Sequence, residues 1–156
     1  MNFSLQLLEK TRDFFNHYLE KLSLDDLNKI PDGFNNNIIW NIGHIVVTQQ
    51  LLAYKLSDLP IKVSNELIEK YKKGTKPDGK VNQKEVDEIK ALLFSTYKAL
   101  VEDYNNDLFK TFSQYTVSTT GNTLTNIDEA LAFIIFHEGM HLGYVMAQLR
   151  TLKRYN

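Results

Sequence analysis

Two histidines one helical turn apart, His137 and His141, are the residues of this sequence best suited to chemistry. On a helix, residues i and i+4 lie on one face, so both imidazoles can point at a common atom. Two neutral imidazoles form half of a metal site. The stretch AFIIFHEGMHLGYV also places Glu138 between them, in the HExxH pattern that zinc proteases use. The spacing predicts a metal site and leaves its reaction open.

The residues that follow this pattern argue against a metalloprotease. Zinc proteases with such a histidine pair need a third protein ligand, commonly a Glu or a His further along the chain. The chain after His141 reads LGYVMAQLRTLKRYN, which contains no Asp, Glu or His. The sequence also shows no obvious strand edge on which an extended peptide could be held. We therefore expect a metal site of another kind.

The third ligand must come from an earlier part of the chain. No cysteine is present, and the two remaining histidines are His17 and His44. His44 stands in the apolar stretch WNIGHIVV, where Gly43 permits close helix approach, whereas His17 lies on a polar helix face and is expected to be solvated. A helix that presents His44 toward His137 and His141 predicts a three-histidine site with a position open for water or substrate.

Three further residues of the last helical segment have more than one interpretation. A helical projection places Glu138 on an apolar side, where a carboxylate needs a partner. It could hydrogen-bond a ligand imidazole, act as a general base on a metal-bound water, or form a salt bridge at a bundle edge. Gln148 could contact substrate or be a polar residue at the helix end, and Tyr144 could pack or donate a proton. Glu138 is the candidate catalytic residue.

Four helical segments must position these side chains. Apolar residues recur at helical spacing over residues 2–22, 35–56, 82–104 and 125–152, and no long stretch alternates as a half-buried strand would. In the first segment we expect the apolar face to consist of Phe3, Leu7, Phe14, Tyr18 and Leu22. The expected helix caps are the Asn residues before Ile38, then Asn82 with Glu85 three residues on, and Thr125 with Asp128 three residues on.

The connections between these segments are long. They cover residues 23–37, 58–81 and about 108–124, which exceeds the hairpin loops of a simple up-and-down bundle. The middle connection contains SNELIEKYKKG, which predicts a short extra helix ended by Gly74. The expected fold class is all-α, a four-helix bundle with long crossover connections, in a single domain of residues 1–156.

Composition limits the other functions that the chain could have. The 156 residues, 43% of them hydrophobic, suit one globular domain with a single core. A formal net charge of -1 gives no general attraction to nucleic acid or to an anionic membrane. The N-terminal segment is amphipathic and interrupted by charges, unlike a signal peptide. Since the chain also lacks cysteine, we expect a cytoplasmic protein with no nucleic-acid and no membrane partner.

Three separated motifs carry a resemblance to a known family. The stretches IIWNIGHIV, KYKKGTKP and HEGMHLGYVMAQLR occur in the order found in the DinB-like superfamily, which includes bacillithiol- and mycothiol-dependent transferase relatives. The resemblance covers essentially the whole chain. It implies a four-helix bundle with a crossover connection, a divalent metal ion held by His44, His137 and His141, and a homodimer. Some members resemble thiol-dependent S-transferases, in which the metal activates a low-molecular-weight thiol.

Three functional hypotheses follow from these residues and from the resemblance. The first is a metal-dependent enzyme that activates a low-molecular-weight thiol and presents it to a small-molecule electrophile. The second is a metal-dependent hydrolase that uses a metal-bound water, and the third is a non-catalytic metal-binding bundle. Imidazole ligands suit Zn and Ni best here, with Fe, Co and Cu as further candidates.

Two loop segments also have two interpretations each. The tract KYKKGTKPDGK could contact an anionic group, although a solvated lysine loop is the more common meaning of such a charge run. The extended stretch QYTVSTTGNTLT could rim a cavity or simply connect two helices.

Overall fold

A computed structural model of the chain describes residues 2–152. In chain order the elements are α1 (Phe3–Lys21), α2 (Leu24–Asn28), α3 (Ile38–Gln49), a π-helical turn (Gln50–Lys55), α4 (Asn65–Tyr71), α5 (Gln83–Asn105), β1 (Tyr115–Thr116), β2 (Thr123–Leu124) and α6 (Ile127–Leu149). The four long helices α1, α3, α5 and α6 confirm the all-α fold class. The predicted domain, 1–156, extends beyond the described residues at both ends.

The long helices are arranged around the core in a non-sequential order. Both α1 and α3 pack mainly against α5 and α6. Consecutive long helices α1 and α3 therefore lie diagonally across the bundle, and so do α5 and α6. A diagonal step must cross an end of the bundle, which requires a longer connection than a step between neighbours. This geometry accounts for the first and third of the long connections predicted from the sequence. The middle one joins the neighbours α3 and α5 and is long because it contains α4.

Asparagine residues are the N-caps of the three long helices α3, α5 and α6. Asn37, Asn82 and Asn126 each accept a hydrogen bond from a backbone N–H in the first turn of α3, α5 and α6, at 2.9, 3.0 and 3.0 Å. The predicted cap of the last helix, Thr125, is wrong by one residue. Its N–H and hydroxyl instead donate to the carboxylate of Glu129, at 2.6 and 2.8 Å. Asn126 takes the cap because its short side chain reaches the backbone of Glu129.

The buried face of α1 differs from the predicted one. Phe3, Leu7 and Phe14 are exposed, at 74%, 41% and 56% of their surface. The residues of α1 that point into the core are Leu5, Leu8, Thr11, Arg12, Phe15 and Leu19. These follow a regular spacing of three and four residues, with an arginine in the middle. The prediction was wrong for Phe3, Leu7 and Phe14, because two apolar stripes run along α1 and the neighbouring helices cover the other one. Leu22 is buried, as predicted.

Several short elements complete the connections. Helix α4 confirms the predicted extra helix, although it ends at Tyr71 and not at Gly74. Helix α2 is capped by Ser23, which forms a capping box with Asp26. The end of the second long segment is π-helical rather than α-helical. β1 and β2 form an antiparallel hairpin in which Tyr115 pairs with Leu124 and Thr116 with Thr123. The stretch that looked extended in sequence is therefore this hairpin.

Helix α6 is long and apolar enough to cross a membrane by length and composition alone. The mean hydropathy of its most apolar window is 1.3, and 33% of that window is buried inside the protein. The same helix carries buried polar residues, His137, Glu138 and Gln148, that face other helices. A hydrophobic helix with such an inward polar face is typical of a bundle core. The absence of a membrane partner stays a prediction.

Candidate metal centre

Three imidazoles meet at one point between α3 and α6. The Nε2 atom of His137 lies 3.2 Å from Nε2 of His44 and 3.2 Å from Nε2 of His141. These three residues, called the histidine cluster below, each offer one ligand atom within 4.8 Å of the others. Two nitrogens about 2.0–2.1 Å from one zinc ion at a tetrahedral angle would lie about 3.3–3.4 Å apart. The spacing of the donor atoms therefore fits a divalent metal ion.

The imidazole of His44 is held in one orientation by two contacts. Its Nδ1 atom lies 2.7 Å from the backbone carbonyl oxygen of Tyr71. A carbonyl oxygen only accepts, so Nδ1 carries the hydrogen and the lone pair of Nε2 faces the cluster. The ring also stacks on Trp40, with centroids 4.7 Å apart and planes inclined by 10°. This arrangement is the one that metal-ligating histidines usually adopt.

His141 is oriented by a side chain of α3. Its Nδ1 atom lies 2.7 Å from Oδ1 of Asn41. The amide nitrogen of Asn41 donates to Oδ1 of Asn36 at 2.9 Å and to the carbonyl of Asn37 at 2.8 Å, which leaves Oδ1 as the acceptor. His141 therefore also carries its hydrogen on Nδ1 and directs a lone pair toward His137.

The lone pairs on Nε2 of His44 and of His141 both face Nε2 of His137. A neutral His137 can donate its Nε2 hydrogen to only one of the two neighbours. The hydroxyl of Thr48 reaches Nε2 of His44 at 3.3 Å. A single cation satisfies all three nitrogens at once, which is the simplest account of why they converge.

Burial keeps the three imidazoles neutral. Desolvation, followed by the influence of the other histidines, lowers the pKa of His137 to about 2. Desolvation and His44 lower the pKa of His141 to about 3, and burial also lowers the pKa of His44. A metal ion needs the neutral form of each imidazole. The site therefore needs no deprotonation step at neutral pH before it can bind a cation.

Gly43 allows the contact that orients His44. A Cβ atom at this position would lie 2.6 Å from the aromatic ring of Tyr71, so that ring packs directly on the α3 backbone. The hydroxyl of Tyr71 donates to Glu85 at 2.5 Å, which ties the end of α4 to α5. The close helix approach expected at Gly43 is thus what brings the Tyr71 carbonyl to His44.

The partner of Glu138 is an arginine of α1. Arg12 Nη2 lies 2.9 Å from Oε1 of Glu138, and both side chains are 0% exposed. Arg12 also donates to the side chains of Gln49 and Thr96, at 3.1 and 2.8 Å, and to the carbonyl of Leu93 at 2.6 Å. We call Arg12, Gln49, Thr96 and Glu138 the arginine cluster.

Glu138 therefore faces away from the histidine cluster. Among the described residues, none of the three histidines hydrogen-bonds to its carboxylate, and its Oε2 atom has no hydrogen-bond partner. Burial raises the pKa of Glu138, whereas the charge of Arg12 opposes that shift. Of the three interpretations from the sequence, the salt bridge describes this geometry, although it lies in the core and not at a bundle edge.

The other residues considered from the sequence lie outside the histidine cluster. Gln148 is 1% exposed, and its amide nitrogen donates to the carbonyl and the side chain of Asn36, at 2.9 and 2.8 Å. It supports the loop that in turn contacts Asn41. Tyr144 is 53% exposed and packs edge-on against Phe34. His17 is exposed on α1, as expected.

Sequence reasoning missed three orienting groups. Asn41 precedes His44 by three residues, so it lies on nearly the same helix face, and that spacing could have identified it. Arg12 occupies the central position of the regular apolar spacing of α1, which also could have marked it as buried. The carbonyl of Tyr71 carries no signal, because every residue has one.

A cavity of about 520 Å³ opens in front of the histidine cluster, which forms part of its lining. Its apolar wall comes from the π-helical turn, the residue after it and α6, and includes Leu51, Leu52, Leu56, Phe133 and Met140. The hairpin segment contributes Tyr115, Val117, Ser118 and Thr119 to the lining. Of the two interpretations of residues 114–125, the rim of a cavity is the one that the structure supports. The volume suits a small organic molecule.

The family comparison agrees with the fold and with the site. The model of the DinB superfamily matches residues 7–145, which include all three histidines and most of the bundle. The chain belongs to the DinB superfamily. A search of curated proteins found no match. Membership and geometry together identify a helical bundle whose His44, His137 and His141 are compatible with metal binding.

Proposed function

We propose that this protein is a metal-dependent enzyme that activates a low-molecular-weight thiol and directs it to an electrophile in the cavity, as an S-transferase does. The observation that carries the proposal is the convergence of three Nε2 atoms, 3.2 Å apart in two pairs, on the wall of an open cavity of about 520 Å³. A structural metal site is usually closed by four protein ligands, whereas a three-ligand site beside a cavity leaves a position for substrate.

The residues of the chain have distinct tasks in this proposal. His44, His137 and His141 would hold a divalent ion, and Tyr71 and Asn41 keep two of these imidazoles in the required tautomer. A bound divalent ion supplies Lewis acidity, which lowers the pKa of a thiol that joins the three histidines. Zn and Ni are the proposed ions, since a site of three imidazoles suits both, and Fe, Co or Cu remain as alternatives.

The thiol would come from a small molecule. The chain contains no cysteine, so it cannot supply a thiolate of its own. The cavity walls are largely apolar around the histidines, which favours entry of a small organic molecule. Thr48, whose hydroxyl lies 3.3 Å from Nε2 of His44, is placed to hydrogen-bond a molecule bound there.

The hydrolase alternative has less support. It requires a general base beside the water, and Glu138 was the candidate for that role. The carboxylate of Glu138 pairs with Arg12 at 2.9 Å in the core and does not line the cavity. We therefore propose a positioning role for Glu138, in which its salt bridge to α1 sets the position of α6 and of the neighbouring His137.

We also propose that the protein forms a homodimer through the outer side of α6. Phe136, Tyr144 and Met146 are large apolar residues with 47%, 53% and 46% of their surface exposed. An exposed apolar helix face of this kind is typical of a surface that another chain covers. Light scattering would measure a dimeric mass, and Phe136→Glu should shift it to that of a monomer. The cytoplasmic location and the lack of nucleic-acid and membrane partners stay predictions from composition.

The proposal is tested first by elemental analysis of protein purified without a histidine tag. We expect about one divalent ion per chain, lost in His44→Ala and in His137→Ala and retained in His17→Ala, whose histidine is exposed. A metal content that His44→Ala leaves unchanged would contradict the three-histidine site.

The reaction is tested next with electrophiles, with and without low-molecular-weight thiols. Turnover should require the thiol and should be lost on chelation. A turnover rate that does not depend on the thiol would support the hydrolase alternative. A stoichiometric metal without any turnover would support the non-catalytic bundle.

A further inference from the structure

The charged residues of the cavity are all basic. Lys55 and Lys73 line it together with the three neutral histidines, and none of the described residues that line it is an Asp or a Glu. Any divalent ion held by the histidines would add to this positive charge. Two opposite charges attract each other more strongly beside the apolar walls of a cavity than they do in bulk water, so such a cavity favours a ligand of opposite charge.

Lys73 differs from three other lysines of its tract, Lys70, Lys72 and Lys80. Lys70, Lys72 and Lys80 pair with carboxylates of Glu85, Glu69 and Asp25. The ammonium of Lys73 instead donates to the hydroxyl of Ser118 in the hairpin segment, and both residues line the cavity. The side chain thus spans from the loop after α4 to the hairpin, at the rim of the cavity.

Lys55 approaches the same cavity from another element. It is the last residue of the π-helical turn that continues α3, and Leu52 and Leu56 beside it belong to the apolar wall. Within residues 2–152, neither Lys55 nor Lys73 forms an ion pair with a carboxylate. Isolated π-helical turns in proteins occur often at functional sites. Two ammonium groups without a carboxylate partner among the described residues therefore border a space whose walls are otherwise largely apolar.

We infer that the cavity binds a small organic molecule with an apolar body and an anionic group, such as a carboxylate, and that Lys55 and Lys73 contact the anionic group. The apolar body lies against the wall that includes Leu51, Phe133 and Met140. Its other end faces the histidine cluster. This inference rests on the proposed function for what happens at the histidines, but the anion preference that the two lysines provide does not require the metal.

The test uses 4-phenylbutyrate and its neutral analogue 4-phenylbutanamide as probes, with binding to the purified protein measured by calorimetry. The wild-type protein should bind the carboxylate more tightly than the amide. Lys55→Ala and Lys73→Ala should each weaken carboxylate binding about fivefold and leave amide binding unchanged, since a solvent-accessible ion pair contributes up to about 1 kcal/mol. Lys72→Ala is the matched control, because Lys72 lies next to Lys73 but pairs with Glu69.

A chelator-treated sample separates this inference from the proposed function. If the preference for the carboxylate disappears on chelation and both lysine variants retain it beforehand, the carboxylate binds the metal and the inference is wrong. Equal binding of acid and amide by the wild-type protein would also overturn it. If the protein contains no metal but the lysine-dependent preference is present, the anion site holds while the proposed metal function fails.

Discussion

His137 and Glu138 are neighbours in the chain, yet they belong to two buried polar clusters that are completed in different ways. The arginine cluster contains its own counter-charge, since Arg12 and Glu138 pair at 2.9 Å. In the histidine cluster, Nε2 of His137 lies 3.2 Å from Nε2 of each of the other two neutral imidazoles. One cluster is balanced from within the protein, and the other is best balanced by an added cation. The buried polar groups of the arginine cluster connect helices, whereas those of the histidine cluster are suited to bind an ion.

The arginine cluster is complete in charge but not in hydrogen bonds. Nε of Arg12 and Oε2 of Glu138 are buried and have no partner among the described residues. A buried ion pair with unsatisfied atoms often stabilises a protein no more than a well-packed apolar pair would. Removing one charge of the Arg12–Glu138 pair should therefore destabilise the protein strongly, whereas removing both charges should change its stability little.

The largest expected effect is that of Arg12→Leu. This change leaves the carboxylate of Glu138 buried without its cation, so the free energy of unfolding should fall by about 3–5 kcal/mol. Urea denaturation of chelator-treated protein measures this loss apart from any change in metal binding. The double variant Arg12→Leu/Glu138→Leu should recover most of the stability. A loss below about 1 kcal/mol in the single variant would show that the pair is not essential to the fold.

Metal removal should destabilise the protein through the other cluster. An ion that binds only the native state at 100- to 1,000-fold its Kd adds about 2.7–4.1 kcal/mol to the free energy of unfolding. Chelation should remove this contribution from the wild-type protein and from His17→Ala. It should have no effect on His141→Ala, whose cluster is already incomplete. A chelator-insensitive melting temperature in the wild-type protein would count against a site that links α3 to α6.

Gly43→Ala should damage the histidine cluster without altering a ligand. The new methyl group would lie 2.6 Å from the Tyr71 ring and would push away the carbonyl that orients His44. We expect the free energy of unfolding to fall by about 1–3 kcal/mol and metal content to decrease.

Gly139→Ala is the matched control for this change. Gly139 lies between the two ligands of α6, and a Cβ atom there would meet nothing within 4 Å. Replacing a helical glycine by alanine should stabilise the protein by about 0.5–1 kcal/mol. Equal effects of the two substitutions would mean that the contact with Tyr71 does not matter.

Asn41→Ala should change metal affinity and leave the fold intact. His141 would lose the acceptor of its Nδ1 hydrogen, so metal affinity should fall about 10- to 100-fold while the helices remain folded. Competition with a chelating dye measures the affinity, and circular dichroism checks the fold. Asn16→Ala serves as the control, because Asn16 bonds to Glu20 on α1 and lies outside the site. Unchanged affinity would mean that the tautomer of His141 is set by the metal alone.

Local sequence patterns predicted the positions of the helices and of the candidate ligands well, but they predicted less well which face of a helix is buried. The caps at Asn37 and Asn82 follow from residue type, because the hydrogen bond that they accept is only three residues away. The outward Phe3, Leu7 and Phe14 of α1 were misplaced because two stripes of similar hydrophobicity run along that helix. Which stripe is buried depends on the neighbouring helices, and a single segment does not contain that information.

By itself, the sequence determined that His137 and His141 share one side of a helix and that His44 was the remaining histidine suited to join them. Helical geometry and residue type suffice for both conclusions. Only the tertiary structure decided that Glu138 pairs with Arg12, 126 residues away, and that the Tyr71 carbonyl orients His44. It alone placed Lys55 and Lys73 at one cavity. These contacts join segments far apart in the chain, so they depend on how the helices pack.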